Sequence, residues 1–143
     1  MPRADVIIRP AGGNAARPSH TYHVWLALSP EQQQLGLMNV THNELPPDAG
    51  MLFVFADHRY RSFWMHNTII PLDIAYIRGD GVIVKTYTMT PLDESGYFSI
   101  EPAQFALEVR GGQFAEKGIR EGDVVEIPPS VVNSASGYSD DQP

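Results

Sequence analysis

Apolar and polar residues alternate along much of this chain. Tyr22, Val24, Leu26 and Leu28 interleave with His23, Trp25 and Ala27, the two-residue period of a strand over Thr21–Leu28. A shorter strand is predicted over Asp5–Arg9, and Gly12-Gly13-Asn14 with Pro18 supplies turn chemistry for a loose hairpin between the two. At Ser29-Pro30-Glu31-Gln32 the pattern changes. Ser29 suits an N-cap, Pro30 the first helical position, and Gln32 completes a capping box, so a short helix should run to about Gly36 or Met38. Beyond the turn-rich connector Asn43–Gly50, strands are expected at Met51–Phe55, Arg61–His66, Leu72–Ile77 and Val82–Met89. Asp80-Gly81 suits a hairpin turn between the last two. Phe105–Val109 is a further strand. Gly111-Gly112 opens a short helix through Lys117 with Gly118 as its left-handed cap, and Asp123–Ile127 is the final strand.

Many short strands and only two short helices predict a mainly-β domain, a small barrel or sandwich of short antiparallel strands. Its aromatic and methionine-bearing strands should line one core. Residues 1–3 form a lead, 4–128 the folded domain, and 129–143 a flexible polar tail. The Ser, Asn, Gly and Asp of that tail carry too little apolar surface to offset the entropy of ordering.

Composition narrows the functions available. A length of 143 residues suits one domain, and 43% hydrophobic residues place it in the globular range. Seventeen acidic residues against ten basic give a net charge of −7, which opposes nucleic acid and anionic membrane as partners. With no cysteine, disulfides, thiolate nucleophiles and thiolate-held metals are excluded within the chain. No apolar run is long enough to insert into a bilayer, and Met1–Arg9 lacks a secretory apolar core. The expected compartment is therefore cytoplasmic, with export as the alternative, since a removed leader would leave the same sequence.

Several residues are candidates for chemistry. Trp64 and His66 should share one strand face, with Phe63, Met65 and Asn67 on the other. Trp64, His66 and Asn67 could then form an aromatic patch offering donors and acceptors to a ligand, or Asn67 could cap the following turn. Asp73 shares a face with Ala75 and Ile77, a carboxylate in apolar company. It is expected to accept backbone N–H groups from the Asn67–Ile70 turn, the alternative being a general base of shifted pKa. Glu108 alternates with Phe105, Leu107 and Val109 and is expected to be solvated or ion-paired across strands. Together with Asp73 it would offer two carboxylates for acid–base work. A soft-metal site from Met38, Met51, Met65, Met89 and His66 is opposed by alternation, which sends Met65 and His66 apart. The same holds for zinc at His20 and His23, and no cofactor is expected. Neither a phosphate-binding loop, a dinucleotide fingerprint nor a nucleophile elbow occurs, and Arg78-Gly79-Asp80 is read as an ordinary hairpin tripeptide.

One set of residues carries a resemblance. Leu35-Gly-Leu-Met38, Leu45-Pro46, Gly50-Met-Leu-Phe-Val-Phe55, Ser62-Phe-Trp-Met65, Asn67-Thr68, Ile70–Ile77, Phe105-Ala-Leu-Glu108, Gly118-Ile119 and Gly122-Asp123 occur in this order. Over roughly Asp5 to Ile127 the chain resembles the DUF192 (UPF0127) family. That resemblance implies a compact, mostly-β fold and no particular reaction, and many members are exported behind a leader. His66 and Leu35 stand where the family usually carries basic residues, and the connector from Met38 to Leu45 is longer than usual. The functional expectation is a small binding or accessory module for a small polar ligand or protein partner. An undescribed enzyme, a hydrolase for instance, using Asp73 with His66 or Glu108 is the alternative.

Overall fold

A computed structural model of the chain describes residues 1–13 and 17–134. The expected mainly-β architecture is present. The strands are β1 (Arg3–Arg9), β2 (His20–Ala27), β3 (Ala49–Arg59), β4 (Ser62–Phe63), β5 (Leu72–Ile77), β6 (Ile83–Met89), β7 (Tyr97–Phe98), β8 (Ala103–Arg110) and β9 (Val124–Glu126). The helices are α1 (Pro30–Leu35), α2 (Gln113–Lys117) and α3 (Pro129–Ser134). None of these is long and apolar enough to cross a membrane.

Seven strands form one sheet in the order β6-β5-β8-β3-β2-β1-β9, and β4 and β7 pair separately. The large sheet curls until its ends meet. Val82 bridges Val124, and the Val125 N–H donates to the Gly81 carbonyl at 2.7 Å. Gly81 sits in that seam at φ 93°, where a side chain would be strained and its Cβ would lie 2.6 Å from the Val125 carbonyl oxygen. Its predicted place in the hairpin turn is confirmed by the Gly81 N–H to Arg78 carbonyl bond of 2.9 Å.

The pairing is not wholly antiparallel as expected: β2 runs parallel to β3. Parallel neighbours need a crossover rather than a hairpin, and the segment carrying α1 provides it. The predicted cap forms here. Ser29 Oγ accepts from the Gln32 N–H at 3.2 Å, and Gln32 Oε1 accepts from the Ser29 N–H at 3.2 Å.

Two cores lie on opposite faces of the sheet, not one. The inner core holds Val6, Tyr22, Val24, Leu52, Ala75, Phe105, Leu107 and Val109, with Phe114 of α2 packed among them. The outer core holds Met51, Phe53, Met65, Leu72, Ile74, Tyr76, Met89 and Ala106. This is why Met51–Val54 read as a continuous apolar run and why every residue of β5 is buried, Asp73 included: both faces are covered.

Two further expectations are corrected. The strand foreseen over Arg61–His66 stops at Phe63, because Met65–Thr68 folds into a turn closed by the Thr68 N–H on the Met65 carbonyl, with Asn67 at φ 52°. Asn tolerates that left-handed conformation better than most residues. Residues 129–134, placed in the flexible tail, are instead the helix α3, which buries Val131 in the inner core. The remainder of the expected tail lies outside the described residues, as does Asn14 of the first predicted turn.

Candidate functional site

The outer face of β8 carries one carboxyl group buried in an apolar setting. Strand alternation sends Phe105, Leu107 and Val109 into the inner core, so Glu108 must point outward. Outward here is not solvent. Glu108 stands between Met51 of β3 and Ile74 of β5, beneath the layer formed by α1 and β4, and is only 4% exposed. The expected solvated or ion-paired carboxylate is therefore corrected. Among the described residues Glu108 has neither a hydrogen bond nor an ion-pair partner. Burial pushes its carboxyl up to about 8, with no neighbouring charge drawing it back.

Above Glu108 lies a cavity of about 280 Å³. Its aromatic walls are Phe53 and Phe55 of β3, Phe63 of β4 and Trp64, and its opposite side is the end of α1 with Gly36, Leu37 and Met38. Phe53 and Phe63 meet edge to face at 4.7 Å between ring centroids, and Phe63 meets Tyr76 in the same manner at 5.8 Å. These contacts hold Phe63 against the sheet even though β4 is only two residues long. The Arg61 guanidinium covers the Phe55 ring at 3.6 Å and is itself tied to the Asp57 carboxylate and the Ala103 carbonyl. Gln33 reaches across the crossover, its amide donating to the carbonyls of Ala27 and Val54, and so fixes α1 over the sheet.

The other candidates divide around this cavity. Trp64 lines it, half exposed. His66 stacks on Trp64 at 4.7 Å but does not line the cavity, and its Nδ1 lies 2.7 Å from Glu94 Oε2. Asn67 is exposed in the turn, where its carbonyl accepts the Asn39 N–H at 2.8 Å. Asp73 is buried on the inner face. Its Oδ2 accepts the Phe114 N–H at 2.9 Å and its Oδ1 accepts the Thr88 hydroxyl at 2.7 Å. It thus fixes the start of α2, not the Asn67–Ile70 turn foreseen for it.

Asp73 and Glu108 do not converge. Asp73 pairs in register with Val109 and Ile74 with Glu108, so the two carboxyls project from opposite faces. Met51, Met65 and Met89 fill the outer core, while Met38 borders the cavity. Among the described residues no three His, Asp or Glu side chains gather as metal ligands. His23 faces Asp5 at 2.7 Å, away from His20, whose Nε2 is buried without a partner. The cavity walls other than Trp64 went unassigned in the sequence. Their signal was present in Leu35–Met38 and Gly50–Phe55, two of the segments that carry the family resemblance.

Comparison with known proteins agrees with this architecture. The sequence model of DUF192, described as "Uncharacterized ACR", matches residues 13–127. A crystal structure from Sinorhizobium meliloti 1021, provisionally described as a transcription regulator, is 33% identical with a TM-score of 0.79, over 87% of this chain and 93% of that one. A protein of unknown function from Novosphingobium aromaticivorans is 32% identical with a TM-score of 0.79, over 87% of this chain and 85% of the other. No curated protein matches the chain.

Proposed function

The chain belongs to the DUF192 family, and on that footing we propose that it is a binding module whose small ligand occupies the cavity over Glu108. The observation that carries this reading is a largely buried carboxyl with no hydrogen-bond or ion-pair partner among the described residues, at the floor of an aromatic-walled cavity. A buried polar group left unpaired is costly, and a ligand that supplies the missing partner recovers that cost on binding. Four rings offer a large apolar contact area around this one polar anchor, the usual composition of a small-molecule site. The volume is nearly twice the roughly 150 Å³ that holds a benzene molecule, so the ligand is small.

Binding is favoured over catalysis by the separation of the acidic groups. The pair needed for acid–base work, Asp73 with Glu108, is split by the sheet, and His66 is held on Glu94 outside the cavity. The regulator description of the Sinorhizobium protein is compatible with ligand sensing. Direct contact with DNA phosphates is disfavoured here by the charge of −7 and by pairing of Arg9, Arg17, Arg61, Arg78 and Lys85 with carboxylates.

The test is a thermal-shift screen of small amines, alcohols and acids, with hits followed by fluorescence in Trp25→Phe, which leaves Trp64 as the sole tryptophan. Hits should perturb Trp64 emission and weaken in Phe63→Ala. Stabilising hits that leave Trp64 unperturbed and are indifferent to Phe63→Ala would refute the reading.

A further inference from the structure

We propose that the ligand of this cavity is a small organic ammonium ion, its charge seated on Glu108 and its apolar body among Phe53, Phe63 and Trp64. This inference rests on the binding reading above and adds the sign of the ligand's charge.

The lining is asymmetric in charge. Among the described residues that line it, Glu108 is the one ionisable side chain, and none is Lys, Arg or His. Its remaining polar side chains, Gln33, Gln34, Ser62 and Thr68, are neutral. Two of these are already engaged, Gln33 on the carbonyls of Ala27 and Val54, and Thr68 on the carbonyl of His66. An anionic ligand would therefore meet a carboxyl and no cation. An ammonium ion would meet a carboxylate together with ring faces, whose negative quadrupole attracts cations, most strongly at a desolvated site. The net charge of −7 adds a general field of the same sign.

Ionisation of Glu108 makes the proposal readable in pH. The charged or titratable groups packed around it are few, and most are occupied. Arg110, two residues along the same face, is held on the carbonyls of His42 and Leu45. On β5 the Tyr76 hydroxyl donates to the Tyr97 carbonyl. Arg61 lies behind Phe55 on Asp57. From β3 the neighbours are Met51, Phe53 and Phe55, which carry no charge, and α1 bears only Glu31 in its first turn. His66, beside Trp64, pairs with Glu94. A cation should therefore bind more tightly as Glu108 loses its proton.

Choline and its uncharged isostere neohexanol provide the probes, titrated into Trp25→Phe at about pH 6 and about pH 9. Choline should bind at least about tenfold tighter than neohexanol at the higher pH and weaken at the lower. Glu108→Gln should abolish both the preference and the pH dependence, while His66→Gln retains the preference for choline. Urea unfolding of each variant verifies that the fold is kept. Neohexanol binding as tightly as choline, or choline losing affinity as pH rises, would overturn the cation proposal and leave the binding module standing. If choline, neohexanol and the wider panel all leave Trp64 unperturbed, both readings fall together.

Discussion

Asp73 and Glu108 lie one register step apart on adjacent strands, yet one carboxyl enters the inner core and the other the outer cavity. A single sheet thus separates a carboxylate satisfied by protein from a carboxyl that has no partner among the described residues. The two should respond oppositely to mutation.

Asp73→Ala removes the acceptor for the Phe114 N–H and the Thr88 hydroxyl. The expected cost is about 1–3 kcal/mol of unfolding free energy, with Asp73→Asn costing less because one acceptor oxygen remains. Urea unfolding measures both. Ligand binding at Trp64 should be unchanged in Asp73→Asn, since the side chain lies across the sheet from the cavity.

Glu108 should make stability fall as pH rises. Its ordinary value of 4.5 applies to the unfolded chain, whereas burial raises it to about 8 in the fold. Between these values the folded state holds a proton that the unfolded state has released. Stability therefore declines from about pH 4.5 to about pH 8 and is level above. Glu108→Gln removes this loss. It should be more stable than the parent at about pH 9 by 1 kcal/mol or more, at roughly 1.4 kcal/mol per pKa unit, and match it below pH 4. Parallel pH profiles of the two proteins would contradict the assignment.

Asp123 should act in the opposite direction. Its burial tends to raise its pKa, but hydrogen bonds from Arg17 and from the N–H groups of Arg120 and Ala11 outweigh this and hold it below the usual carboxylate range. Its contribution is present above the unfolded value and lost as pH falls through the folded one. Asp123→Asn should cost about 1–3 kcal/mol at neutral pH, and the deficit should shrink in acid. Thermal melts of both proteins across an acid series would detect it.

The seam can be tested at two glycines. Gly81→Ala meets both an unfavourable positive φ and the Val125 carbonyl oxygen at 2.6 Å, whereas Gly118→Ala at φ 66° has nothing within 4 Å. Gly118→Ala should lose about 1–2 kcal/mol from the dihedral alone. Gly81→Ala should lose clearly more in the same denaturant titration, and equal losses would mean that the close approach is relieved without cost.

Local features were legible in the sequence, and the covering of faces was not. The capping box at Ser29 and Gln32, the hairpin turn at Gly81 and the left-handed cap at Gly118 are written within a few residues. Alternation also placed Glu108 opposite Leu107. What alternation could not say is that the second face would be roofed by α1 and Phe63, contributed from distant segments of the chain. The same limit misdirected Asp73, whose backbone partner at Phe114 lies 41 residues away. The turn at Asn67 shortened a strand that looked continuous in Ser62-Phe-Trp-Met65, because a run of aromatic and sulfur side chains suits a packed turn as well as a strand.

The seam between Val82 and Val124 bears on the order of assembly. β9 lies near the end of the described chain, and it pairs with β1 near the beginning. A chain emerging from the ribosome can form the crossover and the β5–β6 hairpin early. It cannot shut its sheet until residue 126 is free. Until then β1 and the Gly81–Ile83 segment present unpaired backbone to any passing strand. The interval of greatest exposure to misassociation therefore falls during synthesis, before the last strand arrives, and faster completion of the C-terminal segment should lessen it.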